Sequence, residues 1–304
     1  MPSVQSTGSI PRLLQEGLYA VIDDEYKAYE SQYSGMLDVK MSDKAYEDIA
    51  LTDSFKVAAL KNEGASITYD SSKQIGQQRW VHGNYALGCI VTAEAVEDNR
   101  YQDRIESDGR MLARSMREAE EIVGASPFNS GYDSAVTMWD GQPLFSSAHV
   151  LSGGGTMSNV LAVAAPLSEE ALEDAVVSIA NFRDNKGKRI NVKPLKLVVP
   201  RALPFVAERI LKSSLQNDSA NNATNALKAM RSIPEGYMVS QYLTDQTDWF
   251  IKTDCDKGGM FFFRNELQNG QDNDFGTGNY RHKVSRRFVA GVGDFRAYFG
   301  SGEN

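Results

Sequence analysis

The 304-residue sequence predicts an α+β fold, and two observations carry this prediction. Segments with helical and with strand periodicity both occur, but they do not follow the strict strand-helix-strand alternation of a parallel α/β sheet. The composition is that of an ordinary globular protein, with 41% hydrophobic and 24% charged residues. The chain is long enough for one large domain or two ordinary ones.

Residues 1–53 are predicted to form an N-terminal arm. Their polar and apolar positions are mixed without strong periodicity, apart from a predicted helix around residues 14–29. Because such a segment has too little apolar surface to fold alone, we expect it to pack on a neighbouring part of the structure.

Residues 54–92 are predicted to form an extended, hairpin-like segment. Residues 55–60 are a strand candidate, a turn-rich polar stretch follows, and residues 80–92 have strand character. Tyr85, Leu87 and Cys89 recur at every second position and would share one face. Because a lone two-stranded hairpin is marginally stable in water, we expect this segment to need a partner surface.

The longest predicted helix covers residues 97–124. Its apolar residues recur at spacings of three, four and seven, which places them on one stripe. They are Tyr101, Ile105, Leu112, Met116, Ala119 and Val123. Gly124 is the expected C-terminal glycine. At about 1.5 Å per residue the helix would be near 40 Å long, well above the usual length.

The remainder of the chain mixes loops, helices and short strands. Residues 126–159 are predicted to be loops with short strands. One helix is predicted after Ser168, which is placed to cap it, and another over residues 202–214 with Pro204 in its first turn. Strands are predicted over residues 195–199, 237–243, 248–253, 260–264, 283–290 and 294–299, with a turn at 185–187 and a polar loop at 268–279.

A search for catalytic and metal-binding motifs favours no enzyme, no cofactor and no metal site. Ser146 and His149 are close in sequence, but no G-x-S-x-G elbow is present, so His149 is predicted to be a loop histidine with local hydrogen bonds. Residues 254–256 lack the alternating ligands of a calcium loop and are predicted to form a solvated turn. The glycines at 153–155 lack the Lys-Ser/Thr pair of a phosphate-binding loop.

The net charge of -8 argues against tight non-specific binding of nucleic acid, although a container need not grip its contents. The densest basic group lies near the C-terminus and comprises Arg281, His282, Lys283, Arg286 and Arg287. These side chains could contact nucleic acid or pair with acidic neighbours. Ion pairing between subunits is the favoured alternative.

The sequence also indicates the compartment in which the chain folds. No stretch approaches the roughly 20 apolar residues of a membrane span, and the first residues lack a signal-peptide pattern. Cys89 and Cys255 have no C-x-x-C spacing and are expected to be reduced thiols. We therefore expect folding in a cytoplasm.

The order of these segments resembles the major capsid proteins of tailed bacteriophages, which have the Hong Kong 97-type fold. Residues 85–101 are similar to the family's junction between its extended loop and its long spine helix, and residues 112–115 resemble the spine interior. Other stretches with such a resemblance are 139–159, 197–214, 242–250 and 291–300. Together they cover about residues 50–304.

The resemblance implies a division of the chain into five parts. These are an N-terminal arm (1–53), an extended E-loop (54–93), a peripheral domain (94–166) with the spine helix (97–124), an axial domain (167–287), and a return to the peripheral domain (288–304). The E-loop would lie over a neighbouring subunit. The residues expected at that contact are Phe55, Lys61, Lys73, Trp80 and Tyr85.

The resemblance also implies a structural function, namely self-assembly through hexamers and pentamers into an icosahedral head shell. Such a shell encloses double-stranded DNA without sequence-specific binding, has no membrane partner, and works with scaffold, portal and sometimes decoration proteins. The protein would be assembled in the host bacterial cytoplasm and remain in the virion. The alternatives are an encapsulin-like nanocompartment shell, or a cytosolic hydrolase or ligand-binding domain.

Overall fold

The fold combines a long helix, two multi-stranded sheets and a projecting ribbon, which confirms the predicted α+β class. A computed structural model of the chain describes residues 10–92, 94, 102–216, 223–274 and 276–301. Its helices are α1 (Ile10–Ala28), α2 (Tyr33–Met36), α3 (Gln102–Asn129), α4 (Glu169–Ala180), α5 (Pro204–Lys212) and α6 (Ala226–Met230), with a 3-10 turn at Phe295–Ala297.

The strands belong to two larger sheets and two hairpins. They are β1 (Asp38–Met41), β2 (Tyr46–Thr52), β3 (Gln74–Val81), β4 (Gly83–Val91), β5 (His149–Val150), β6 (Thr156–Met157), β7 (Pro194–Pro200), β8 (Tyr237–Ser240), β9 (Phe250–Thr253), β10 (Gly259–Phe263), β11 (Gln268–Asn273), β12 (Tyr280–Val292) and β13 (Tyr298–Gly300). The hairpins are β2–β3 and β5–β6.

The five-stranded sheet is built around the long strand β12. β4 pairs with one edge of β12, β11 and then β10 pair with the other edge, and β1 joins β10 in parallel. α3 packs against β4 and β12, and α1 packs against α3. Phe261, Val284 and Phe288 are fully buried in the core that includes this face.

The four-stranded sheet has the order β13-β9-β7-β8. β7 and β8 run parallel, whereas β9 is antiparallel to both of its neighbours. Trp249, Tyr298 and Phe299 are fully buried, and they belong to the same hydrophobic core as the face beneath α3. The two sheets are therefore joined by one continuous core.

The long helix lies where it was predicted, but it ends at Asn129 and not at Gly124. Residues 95–101 lie outside the described residues, so the predicted start at 97 is not described. The 28 residues of α3 correspond to about 42 Å. Leu112 and Met116 are buried as predicted. Gly124 does not end the helix. It packs directly on Tyr33, where an added Cβ would overlap the Tyr33 Cβ, so the glycine permits close packing instead of capping.

The predicted strand at 55–60 is wrong, because the paired strands are β2 and β3. In β2 burial alternates along the strand, with Glu47 and Leu51 buried and Ile49 half-buried between them. The apolar side chains of residues 55–60 remain exposed, so no packing stabilises a strand there. β4, predicted as part of the same extended segment, pairs with β12.

Two C-terminal predictions also need correction. The predicted polar loop at 268–279 contains β11, an edge strand, and polar side chains are tolerated where one edge of a sheet meets solvent. The predicted strand at 294–299 is divided, because the carboxylate of Asp294 accepts the Arg296 amide at 3.0 Å and starts a 3-10 turn before β13.

Several local predictions are confirmed. The Ser168 hydroxyl oxygen accepts the Ala171 amide at 3.1 Å and caps α4. Pro204 occupies the first turn of α5. α1 covers the predicted N-terminal helix, and residues 184–188 form the predicted turn around Gly187.

Candidate assembly surface

A ribbon of residues 46–81 extends from the five-stranded sheet. β2 and β3 pair from Tyr46 opposite Val81 to Thr52 opposite Gln74. Residues 53–73, called the tip here, contain no strand. Val57, Leu60 and Tyr69 in the tip are 73%, 92% and 84% exposed. Large apolar side chains grouped in water in this way are typical of a surface that another molecule covers.

The base of the ribbon is seated on the sheet face opposite α3. Trp80 is only 9% exposed and packs with Met260 and Phe262, which alternate along β10 with residues that face α3. Gly291 lies directly beneath the indole, and a Cβ at this position would overlap the Trp80 ring. The Trp80 indole therefore fits on the sheet only because residue 291 is a glycine.

Further contacts hold the middle of the ribbon. A Cβ at Gly76 in β3 would lie 2.6 Å from Cε3 of Trp139, so this glycine admits the indole at close range. The Lys257 ammonium donates to the backbone oxygen of Ala50 at 3.0 Å. Both sides of the ribbon thus contact their own subunit. Within the ribbon, most of the exposed large apolar side chains lie in the tip, and Tyr46 and Val81 are exposed at the base.

The five residues predicted at the intersubunit contact divide into two groups. Phe55, Lys61 and Lys73 lie in the tip and are exposed. Trp80 is packed in the base of the ribbon, and Tyr85 stacks on Phe288 of its own subunit with ring centroids 4.3 Å apart. Trp80 and Tyr85 therefore pack against residues of their own subunit. Sequence reasoning also missed Val57, Leu60 and Tyr69, although their apolar character inside a polar stretch is a usable signal.

A buried ionic cluster joins the N-terminal arm to α3 and β12. The Glu120 carboxylate is fully buried, lies 3.0 Å from Arg286 Nη1 and 3.2 Å from Arg117 Nη1, and accepts the Tyr26 hydroxyl. Burial, followed by the neighbouring Glu120 charge, raises the pKa of Tyr33 to about 12. Both tyrosines therefore remain protonated donors at neutral pH.

The adjacent Glu121 fixes the chain where the arm turns toward β1. Its two carboxylate oxygens accept the amides of Gln32 at 2.7 Å and Tyr33 at 3.0 Å. Burial raises the pKa of Glu121, while these two hydrogen bonds oppose that shift. The arm is thus held by side chains of the long helix, as expected for a segment unable to fold alone.

The candidate catalytic histidine is a structural residue. His149 is fully buried and stacks on Phe295, with the ring centroids 3.7 Å apart. Its Nδ1 lies 2.6 Å from Asp140 Oδ2, and its Nε2 lies 3.1 Å from Asn159 Oδ1. These contacts confirm the predicted local hydrogen bonds, but His149 lies in the short strand β5 and not in a loop. In the part of the chain that the structure describes, no group of three His, Cys, Asp or Glu residues is placed to share a metal ion.

The C-terminal basic group does not form one patch. His282 and Arg286 face the core, where Arg286 pairs with Glu120. Arg281 and Lys283 lie on the opposite face of β12, and Arg281 forms an ion pair with Asp274 of its own subunit. The alternation of the strand therefore distributes the charges, and some of them are neutralised internally.

A sheet braced by a long helix, with a ribbon that carries an exposed apolar tip, is the architecture of the Hong Kong 97-type shell subunits. The chain belongs to the phage capsid protein family, whose model matches residues 83–299. This match begins directly after the ribbon and does not include it. No sequence among the curated proteins matches the chain significantly.

Solved structures share this fold at low sequence identity. One is the capsid of an empty GTA particle, with 13% identity, 88% of each chain covered and a TM-score of 0.58. Another is the procapsid of bacteriophage JBD30, with 14% identity, 98% of this chain and 77% of that chain covered, and a TM-score of 0.54. A third is a virus-like particle from Pyrococcus furiosus, with 12% identity, coverage of 94% and 98%, and a TM-score of 0.53.

The family match identifies a structural protein of the capsid shell, located in the virion. It favours a phage capsid over an encapsulin-like shell. Among the described residues, no helix combines the length and apolar character needed to cross a lipid bilayer.

Proposed function

We propose that this chain is the major capsid protein of a tailed-phage head and assembles through hexamers and pentamers into an icosahedral shell around double-stranded DNA. The observation that carries the proposal is the tip, whose large apolar side chains are exposed on the subunit as far as the described residues show. Full burial of one such side chain contributes about 1.5–3 kcal/mol. A neighbouring subunit that covers several of them would therefore gain appreciable binding free energy.

In this proposal the tip lies on a neighbouring copy of the chain. Phe55, Val57, Leu60 and Tyr69 would supply the apolar contact, and Lys61 and Lys73 would supply charge at its margin. The base of the ribbon stays on its own subunit through Trp80. This arrangement separates the contact that binds the neighbour from the contact that anchors the ribbon.

The proposed domains divide the chain by sequence and not by sheet, because their boundary at 287/288 falls within β12. Residues 94–166 and 288–304 would form the peripheral domain with α3, and residues 167–287 would form the axial domain around the five- and six-fold centres. Residues 46–81 would form the part of the E-loop that projects toward the neighbour. β4 would not belong to that part, because it pairs with β12 in the sheet beneath α3.

The chain is proposed to act structurally and not as an enzyme, with no cofactor. Its net charge of -8 argues against tight non-specific binding of DNA, and enclosure of DNA does not require such binding. Scaffold, portal and decoration proteins are further proposed partners, and no membrane is involved. Assembly would take place in the host bacterial cytoplasm.

Electron microscopy of the purified chain at high concentration tests this function. We expect closed shells or ring-shaped capsomers of uniform size. A stable monomer at all concentrations, with or without a co-expressed scaffold, would favour the ligand-binding or hydrolase alternative. Particles that contain an enzyme in place of DNA would favour the nanocompartment alternative.

A further inference from the structure

We propose that Lys186 is a positioning residue for the ribbon: from the turn at residues 184–188 it holds the tip against its own subunit, so that the tip reaches a neighbour in a preset direction. The inference rests on the proposed function only in naming a neighbouring copy as what the tip reaches. The holding contact itself lies within one subunit.

The Lys186 ammonium contacts the C-terminal end of the tip. Its Nζ lies 2.9 Å from Asp70 Oδ2 and 3.4 Å from the backbone oxygen of Ser71. The same Asp70 carboxylate accepts the amide of Lys56 at 2.8 Å and the amide of Ser71 at 2.9 Å. The Asp70 carboxylate thus links Lys56 near the start of the tip, Ser71 near its end, and Lys186 in the turn.

A second set of contacts lies beside the first. The Ser54 hydroxyl donates to the Asp184 carboxylate, and the Lys188 ammonium donates to the backbone oxygen of Phe55 at 3.2 Å. The Lys188 ammonium also lies 3.5 Å from Asp184 Oδ2. The turn therefore contacts the tip on both sides of Asp70.

The turn is rigid enough to serve as a support. Asp184 is only 8% exposed, and its Oδ1 accepts the amides of Lys186 at 2.9 Å and Lys188 at 2.8 Å. Gly187 adopts φ +80°, a conformation that favours glycine. The turn is thus closed by its own side chain and needs no contact with the tip to keep its shape.

The turn is also fastened to the core of the subunit. Arg296, which is 2% exposed, donates from Nη2 to Asn185 Oδ1 at 3.0 Å and is itself held by Asp294 at 3.0 Å. The Gly153 amide donates to the backbone oxygen of Asn185 at 2.7 Å. A side chain mounted on this turn therefore has a fixed position relative to the two sheets.

The pairing is retained over a wide pH range. The hydrogen bond from Lys186, followed by the backbone hydrogen bonds, lowers the pKa of Asp70 to about 2. Because the pKa in the folded chain lies below its ordinary value of 3.8, the contact is fully present above pH 3.8 and is lost only as the pH falls through about 2. The support is therefore intact at every pH suitable for assembly.

Loss of the Lys186–Asp70 contact should change the orientation of the tip in a single subunit only slightly. Its effect on the assembly of a shell should be larger. An exposed ion pair shifts a local equilibrium by only about two- to fivefold. The affinity of the tip for its neighbour falls in proportion to the fraction of tips that are correctly oriented. Because each subunit of a shell makes such a contact, a few-fold loss per subunit compounds during assembly.

The test compares Lys186→Met with the matched control Lys196→Met, whose ammonium pairs with Glu235 at 2.8 Å and does not contact the ribbon. Hydrogen exchange is measured on the unassembled subunit, and assembly is followed by light scattering. For Lys186→Met we expect amides of residues 53–56 and 70–73 to exchange about two- to fivefold faster and assembly to be slower. Lys196→Met should change neither.

The two measurements distinguish the possible failures. Unchanged exchange in Lys186→Met would overturn the holding contact, whatever the assembly result. Faster exchange with an unchanged assembly rate would overturn the positioning role. If the wild-type chain forms no shells while exchange responds as expected, the holding contact stands and the proposed function fails.

Discussion

Glu120 is the buried charge at which the arm, the long helix and the sheet meet. Removing it would leave Arg286 and Arg117 without their shared partner, and breaking a buried ion pair costs about 3–5 kcal/mol. We expect Glu120→Gln to lower the free energy of unfolding of the subunit by about 3 kcal/mol in urea denaturation. Glu118→Gln, on the exposed side of the same helix, should change it by less than about 0.5 kcal/mol; equal effects would refute the role given to Glu120.

His82 lies at the junction of β3 and β4, and it should make the ribbon base sensitive to acid. It is 4% exposed, burial lowers its pKa below 6.5, and the charged groups that face it are Glu47, Arg264 and Arg287. A lowered pKa in the folded chain means that the contribution of neutral His82 to stability is present above pH 6.5 and is lost as the pH falls below it. Among the described residues the ring nitrogens form no hydrogen bond, and Glu47 Oε1 lies 3.9 Å from Nε2, so leucine is a suitable replacement.

Urea denaturation between pH 8 and pH 5 checks this expectation. The wild-type subunit should lose more stability on acidification than His82→Leu does. His282 is present in both proteins, so its own lowered pKa cancels in the comparison. Parallel stability curves for the two proteins would show that His82 does not titrate in the folded subunit.

At the scale of residues, local hydrogen-bonding roles could be predicted and distant partners could not. The capping role of Ser168 and the local hydrogen bonds of His149 follow from nearby residues. Lys186 was recognised only as part of a turn, because its partner Asp70 is 116 residues away in sequence. Nothing local distinguishes a lysine that supports the tip from one that faces solvent.

At the scale of elements, the seat of the ribbon depends on glycine. A methyl group at residue 291 would push Trp80 from its position between Met260 and Phe262. Overpacking of this kind costs about 1–3 kcal/mol. We expect Gly291→Ala to lower the free energy of unfolding by that amount and to increase proteolysis of the ribbon, whereas Gly276→Ala, which meets no atom closer than 3.7 Å, should do neither. A wild-type protease pattern in Gly291→Ala would contradict this account of the seat.

Element boundaries show where sequence periodicity is insufficient. The stripe on α3 was predictable because its residues meet one continuous core. Gly124 was assigned to the helix end because glycine usually marks such ends, but tertiary packing on Tyr33 decides its role. β11 was missed because an edge strand of polar residues carries little periodic signal.

At the scale of the whole molecule, the α+β class and the capsid family followed from the order of elements, whereas the site of assembly needed three dimensions. The extended segment was predicted to depend on a neighbour throughout. In the structure its base is satisfied internally, and the uncovered apolar side chains are concentrated in the tip. The proposed contact is thereby reduced from five residues spread over the segment to a cluster at one end.

Excision of the tip tests the central claim most directly. Replacing residues 57–68 by a short Gly-Ser linker leaves β2 and β3 intact and removes Val57 and Leu60. We expect the variant to keep the urea midpoint of the wild-type subunit, because the tip contributes little to the core. Under conditions in which the wild-type chain forms shells, electron microscopy should show only unassembled subunits of the variant; shells of normal size and yield would contradict the claim that the tip joins one subunit to the next.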